Sequence, residues 1–198
     1  MKSLVCAAAF VLLSAVSASA ATASIASEFG KSLPPVGFVK FCAANPAECK
    51  QVGRRVKRIA ATPKNWAMIN AVNTQVNSSI APMSDEELYG QAEFWTYPVD
   101  AGDCEDYLLL KKRELERLGF DAGALLITVV LDEKNEGHAV LTVAMEQGDY
   151  ILDNRRNDIM LWSETGYTYL KRQSQQDPRA WIALTETGHT NLKATAGN

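Results

Sequence analysis

From Pro63 onward the apolar positions fall at helical steps. Trp66, Ile69, Val72, Val76 and Ile80 lie three or four residues apart and predict a helix opened by the proline, with Asn70, Asn73 and Asn77 off the stripe. Upstream, residues 21–40 read as a loose lead-in ending at Pro34-Pro35, and residues 47–60 as a polar helix. Ser84-Asp85-Glu86-Glu87 predicts another helix start, with Ser84 capping and a glutamate three residues on. Residues 91–102 are a loop carrying Phe94, Trp95 and Tyr97. Next comes a helix over Cys104 to Leu118. Asp103 is its N-cap, Asp106 follows three residues later and Gly119 is its stop. At about 100° per residue, Leu108 lies about 40° and Leu115 about 20° from Cys104, so the cysteine shares the inward, apolar face.

The period then changes. Ala124 to Leu131 is apolar and rich in β-branched residues, Asp132 to Gly137 is a charged turn, and His138 to Met145 resumes the strand pattern. Gln147-Gly148 turns the chain into Tyr150–Asp153, and strands near Tyr167–Leu170 and Trp181–Leu184 complete the set. Helices first and an antiparallel sheet second predict an α+β fold. No internal repeat or low-complexity block interrupts residues 21–198, which fit one domain.

The N-terminus has a different character. Met1-Lys2 precedes an apolar run from Ser3 to Val16, and Ala18-Ser19-Ala20 has the A-x-A form of a cleavage site. Residues 1–20 therefore read as a secretory signal peptide, and the chain as exported. The run is too short and too rich in Ala and Ser for a spanning helix. The net charge of −3 argues against nucleic acid. The basic cluster Arg54, Arg55, Lys57 and Arg58 has no interleaved aromatics for base stacking and reads as a solvated helix face.

Export makes the four cysteines informative. Cys6 leaves with the signal, and Cys42 and Cys49 bracket a short loop and can pair, which leaves Cys104 as the odd thiol. A pairing of Cys104 with either of the others is the alternative. A cysteine nucleophile needs a base and the base an orienting partner. Of the two histidines, His138 opens a strong strand after Gly137, whereas His189 lies in a polar tail. Asp153 ends the next strand, and a hairpin would carry it beside His138. Cys104, His138 and Asp153 are therefore the candidate catalytic triad. The backbone N–H of Cys104, with Trp95 or Tyr97 from the preceding loop, is a candidate oxyanion hole.

These residues resemble a known family. Tyr97-Pro98, the block Gly102-Asp103-Cys104-Glu105-Asp106-Tyr107, Lys111, Leu115, Gly119-Phe120, Gly137-His138-Ala139-Val140-Leu141 and Leu152-Asp153-Asn154 look like the bacterial transglutaminase-like cysteine proteinases, which include the periplasmic LapG-type adhesin proteases. Phe41-Cys42 and Cys49 extend the resemblance upstream. It implies a papain/transglutaminase-like fold, with a nucleophile helix packed on an antiparallel sheet and Cys104, His138 and Asp153 as the triad. It also implies Ca²⁺ at Asp103 and Glu105, with Asp106 as a further ligand. The implied substrate is the N-terminal region of a large surface adhesin, often cut at a paired-alanine site. The implied regulator is an inner-membrane cyclic-di-GMP receptor that sequesters the protease and so controls biofilm release.

Elementary electrostatics points the same way. A carboxylate about 6 Å from the sulfur disfavours the thiolate by about 3 kcal/mol at an effective dielectric near 20, or about two pKa units. Asp103, Glu105 and Asp106 together would outweigh the helix dipole and keep Cys104 protonated, and a bound Ca²⁺ would cancel most of that penalty. The same triad could instead serve a transglutaminase or an amidase, because the acyl-enzyme is shared. A non-catalytic binding module of the same fold is the rival of another class.

Overall fold

The computed structural model describes residues 24–50 and 58–186. The signal-peptide segment, His189 and the basic residues Arg54, Arg55 and Lys57 lie outside the described residues. Strand β1 (Gly30–Ser32) and helix α1 (Val36–Ala44) come first. Helix α2 (Pro63–Ser79), strand β2 (Ala81–Pro82), helix α3 (Asp85–Tyr89), strand β3 (Ala101–Gly102) and helix α4 (Cys104–Arg117) follow. Then come β4 (Leu125–Leu131), β5 (Gly137–Met145), β6 (Gly148–Leu152), β7 (Met160–Leu161), β8 (Thr168–Gln173) and β9 (Trp181–Ala183). The large sheet has the order β1-β9-β8-β4-β5-β6-β7, and every pairing in it is antiparallel. This is the α+β arrangement the pattern predicts.

Local chemistry explains the helix ends. Thr62 caps α2 by accepting from the Asn65 N–H, and Pro63 takes the first turn, where its missing N–H costs nothing. Ser84 and Glu87 form a reciprocal capping box on α3, which ends at Gly90 in the left-handed region. Helix α4 is amphipathic. Leu108 and Leu115 are buried on the face that meets β5, and each contributes about 1.5–3 kcal/mol by leaving water. The other face of the sheet carries a smaller cluster of Val130, Val140, Ile151, Tyr167, Tyr169 and Leu184 with Ala26.

Two expectations need correction. The lead-in is not loose throughout. Strand β1 pairs with β9, and the Asp149 carboxylate, which also takes Arg172 and Arg58, accepts from the Ala26 N–H. An isolated strand this short carries little local signal, and its partner is supplied from the far end of the chain. The polar helix over 47–60 is also not borne out at its described ends. Residues 46–49 form a turn, and Ile59 makes a parallel bridge to Met145, so its backbone bonds go to the sheet. Cys42 and Cys49 are joined as a disulfide at the end of α1, and Cys104 is the free thiol among the described residues.

Candidate active site and acidic cluster

Cys104 is the first residue of α4, half-buried, and lines a cleft of about 660 Å³. Apolar walls come from Pro35, Val36, Trp95, Val129 and Ala139, and His138 lines the same cleft. His138 arrives there because β5 begins at Gly137, with Val130 opposite the histidine on β4. The β5–β6 ladder stops at the pair Leu141–Leu152, so Asp153 is the first residue past the ladder. Its Oδ1 is 3.0 Å from His138 Nε2, leaving Nδ1 of the imidazole buried without a hydrogen-bond partner among the described residues.

Asp153 is held from several sides. Tyr167 donates its hydroxyl to Oδ2 at 2.6 Å, the Arg155 N–H donates to Oδ1 at 3.0 Å, and Asn77 Nδ2 holds the Asp153 carbonyl at 2.9 Å. Burial works against the carboxylate, but the bonds from His138, Tyr167 and Arg155 outweigh it and hold the group well below the usual carboxylate range. The Tyr167 hydroxyl is pushed up to about 12 by burial and by that same carboxylate. Its ring also packs edge-on against His138.

The acidic residues occupy two overlapping groups. Glu105 turns toward the sulfur, and the Cys104 thiol donates to its Oε2 at 3.0 Å. Asp103 and Asp106 gather instead with Asp85, each offering an oxygen within 4.8 Å of the others. Asp85 went unread in the sequence, where it is simply the first residue of a capped helix. The parallel pairing of β2 with β3, which matches Pro82 to Gly102, brings Asp85 beside Asp103. No local pattern announces such a pairing between two-residue strands.

The loop after α3 organises these acids. The Phe94 N–H donates to Asp85 Oδ2, and the Thr96 N–H donates to Asp106 Oδ1 at 3.0 Å. Asp85 Oδ1, Asp106 Oδ2 and Asp103 Oδ1 are buried without a hydrogen-bond partner among the described residues. A buried carboxylate oxygen with no donor is costly, and three together fit a hard divalent cation that takes oxygen ligands. Protons respond to the same strain. Burial and the charge of Asp103 push Glu105 up to about 9, and burial with Asp103 and Asp85 pushes Asp106 up to about 7. Burial also pushes the Cys104 thiol far up, with Glu105 and Asp103 adding to it and the Ala139 N–H opposing.

The aromatic candidates for the oxyanion hole separate. Trp95 lines the cleft, but its Nε1 donates to Glu93 Oε2 at 2.9 Å. Tyr97 packs against Phe41 with Arg113 over its ring, away from the cleft. Gly37 is what admits the indole, since a Cβ there would sit 2.3 Å from Trp95 Cδ1.

Comparison with known proteins agrees with this architecture. The calcium-bound structure of Legionella pneumophila LapG is 24% identical over 64% of this chain and 72% of that one, with a TM-score of 0.53. The EGTA-treated form of the same protein is 24% identical over 64% and 70%, with a TM-score of 0.51. A search of curated proteins returned no match. The family model described as bacterial transglutaminase-like cysteine proteinase matches residues 28–189, most of the chain. The chain belongs to the bacterial transglutaminase-like cysteine proteinases, and its fold is of the transglutaminase-like kind.

Proposed function

We propose that this chain is an exported, calcium-dependent cysteine endopeptidase with Cys104, His138 and Asp153 as its catalytic residues. The observation that carries the reading is the state of His138. Its Nε2 is committed to Asp153, its Nδ1 has no hydrogen-bond partner among the described residues, and His138 lines the same cleft as Cys104. In that tautomer Nε2–H donates to Asp153 and Nδ1 is the acceptor for the thiol proton.

The reaction follows from that placement. His138 Nδ1 takes the proton from Cys104, and the thiolate attacks the scissile carbonyl. The C–N bond then breaks to give a thioester, and His138 returns the proton to the leaving amine. Water, deprotonated by the same nitrogen, hydrolyses the thioester and restores the thiol. Asp153 holds the imidazole and stabilises its cation. The Cys104 N–H is one oxyanion donor.

Asp85, Asp103 and Asp106 would hold Ca²⁺, with Glu105 joining from the sulfur side. The bound ion would offset the negative field at the thiolate. The calcium-bound structure of Legionella pneumophila LapG supports this reading. The substrate we infer is the N-terminal region of a large surface adhesin, cleaved in the periplasm to release a biofilm. An inner-membrane cyclic-di-GMP receptor would be the sequestering regulator. Residues 1–20 would be the signal peptide that delivers the enzyme. Among the described residues no helix is long and apolar enough to cross a membrane.

The test is incubation with the N-terminal region of a large surface adhesin from the same organism, with and without EGTA, next to Cys104→Ala. Cleavage is expected with Ca²⁺ and absent in EGTA and in the variant. A labelled amine appearing in the product would replace the peptidase reading with acyl transfer. Cleavage by Cys104→Ala would end the nucleophile assignment.

A further inference from the structure

Lys111 is the least expected residue in the core. It lies seven residues after Cys104 on α4, so about two turns bring it onto the same inward face. Its side chain is 1% exposed, and its ammonium has no hydrogen-bond partner among the described residues. Burial pushes it down to about 7, and the charge that pulls the other way is that of Asp153.

Helix α2 and the turn after β6 also carry polar atoms with unfilled hydrogen bonds. Helix α2 packs on α4 and holds the turn after β6 through two asparagines. Asn73 Nδ2 donates to the Asn157 carbonyl at 3.0 Å, and Asn77 Nδ2 to the carbonyls of Asp153 and Arg156. Both leave Oδ1 buried and unpartnered, and so does Asn154 on the turn itself. An ammonium has three donors and no acceptor, while the segment carrying Asp153 presents spare acceptors and one carboxylate. An unpaired buried cation costs stability, and a core gains nothing by keeping one for packing.

We propose that Lys111 is a positioning residue for the peptidase reaction: the charge of its buried ammonium, unpaired by any hydrogen bond among the described residues, steadies the Asp153 carboxylate and its turn, and through Asp153 it sets the orientation of His138. Lys111 does not touch the reacting atoms. The proposal rests on the peptidase reading above.

The decisive substitution is Lys111→Met, which keeps an unbranched side chain of similar length and removes the charge. Wild type and variant are compared in Ca²⁺ by thermal melting, by peptide kcat and KM, and by the alkylation rate of Cys104 with iodoacetamide. The variant is expected to melt at or above the wild-type temperature. Its kcat should fall about ten- to a hundredfold at unchanged KM, and its Cys104 should alkylate more slowly. Wild-type kcat and alkylation in the variant would overturn the proposal. So would losses that come with a fall in melting temperature, which mark a purely structural residue. If the wild type cleaves no peptide, the peptidase reading fails, and the alkylation and melting arms still decide the role of Lys111.

Discussion

Asp85 and Asp106 are held as a matched pair: each gives one carboxylate oxygen to an N–H of the loop between α3 and β3 and keeps the other buried and free. One short loop, Phe94 to Thr96, therefore aims two acids from different helices at a common point beside Asp103. The cost is the burial of charge, which pushes both carboxyls up, and at Asp106 the charges of Asp103 and Asp85 add repulsion.

That repulsion predicts opposite effects on binding and on stability for Asp85→Asn. Removing one acid should weaken Ca²⁺ binding about tenfold or more, because fewer charged oxygens face the ion. In EGTA the same variant should melt higher than the wild type, because the remaining acids repel less. Calorimetric titration and thermal melts check both. A variant that binds Ca²⁺ like the wild type removes Asp85 from the ligand set.

Gly102 has a separate role. A Cβ at this position would sit 2.6 Å from Asp106 Oδ2, so Gly102→Ala must displace the carboxylate. The expected result is a loss of Ca²⁺ affinity of about tenfold, with the fold intact by circular dichroism. Unchanged affinity would mean that Asp106 takes no part in binding.

The pH dependence of stability has a definite sign. Asp106 moves from 3.8 to about 7 and Glu105 from 4.5 to about 9 on folding, so the folded chain holds these protons more tightly than the unfolded chain. Between those values the native state binds more protons, and stability falls as pH rises. Melts in EGTA should therefore drop from about pH 5 to pH 7, where both carboxyls act; above pH 7 the buried Lys111, which folding brings down to about 7, opposes Glu105, and saturating Ca²⁺ should flatten the drop by replacing the protons. A melting temperature in EGTA that rises over this range contradicts the cluster's electrostatics.

Tyr167→Phe tests the support of Asp153. The change deletes the 2.6 Å bond to Oδ2, together with the 3.0 Å bond the hydroxyl accepts from Arg156 Nη2, and leaves the ring against His138. A hydrogen bond to a charged group is worth about 1.5–3 kcal/mol, so urea unfolding should show a loss of that size. Peptidase kcat should fall about tenfold with little change in KM, as for a loosened catalytic geometry. Equal losses in kcat/KM through KM alone would place Tyr167 in substrate binding instead.

Reduction of the Cys42–Cys49 bridge should cost about 2–3 kcal/mol, the loop-entropy value for a short closed loop. Denaturation with and without dithiothreitol measures it. Cys104 should remain the thiol that iodoacetamide labels among the described residues before reduction.

Much of the framework is legible in the chain because it depends on local pattern. The stripe Trp66, Ile69, Val72 and Val76, the cap at Ser84, the helix opened by Cys104 and stopped by Gly119, and the apolar runs of β4 and β5 all follow from spacing and side-chain type. Cys104, His138 and Asp153 stand out as candidates for the same reason: each begins or ends an element with a strong pattern. Spacing could not supply partners across the chain. Strand β1 exists because β9 reaches it, and Asp85 joins Asp103 and Asp106 through two short parallel strands. The turn carrying Asp153 is held by Asn73 and Asn77 of α2, which in sequence are only polar residues off an apolar stripe. Local periodicity and capping determine which segments become helix or strand, because those energies belong to neighbours in the chain. Which carboxylates share one cavity, which histidine nitrogen stays free and which lysine is buried without a partner are decided by burial and long-range hydrogen bonds, and these exist once the chain has folded.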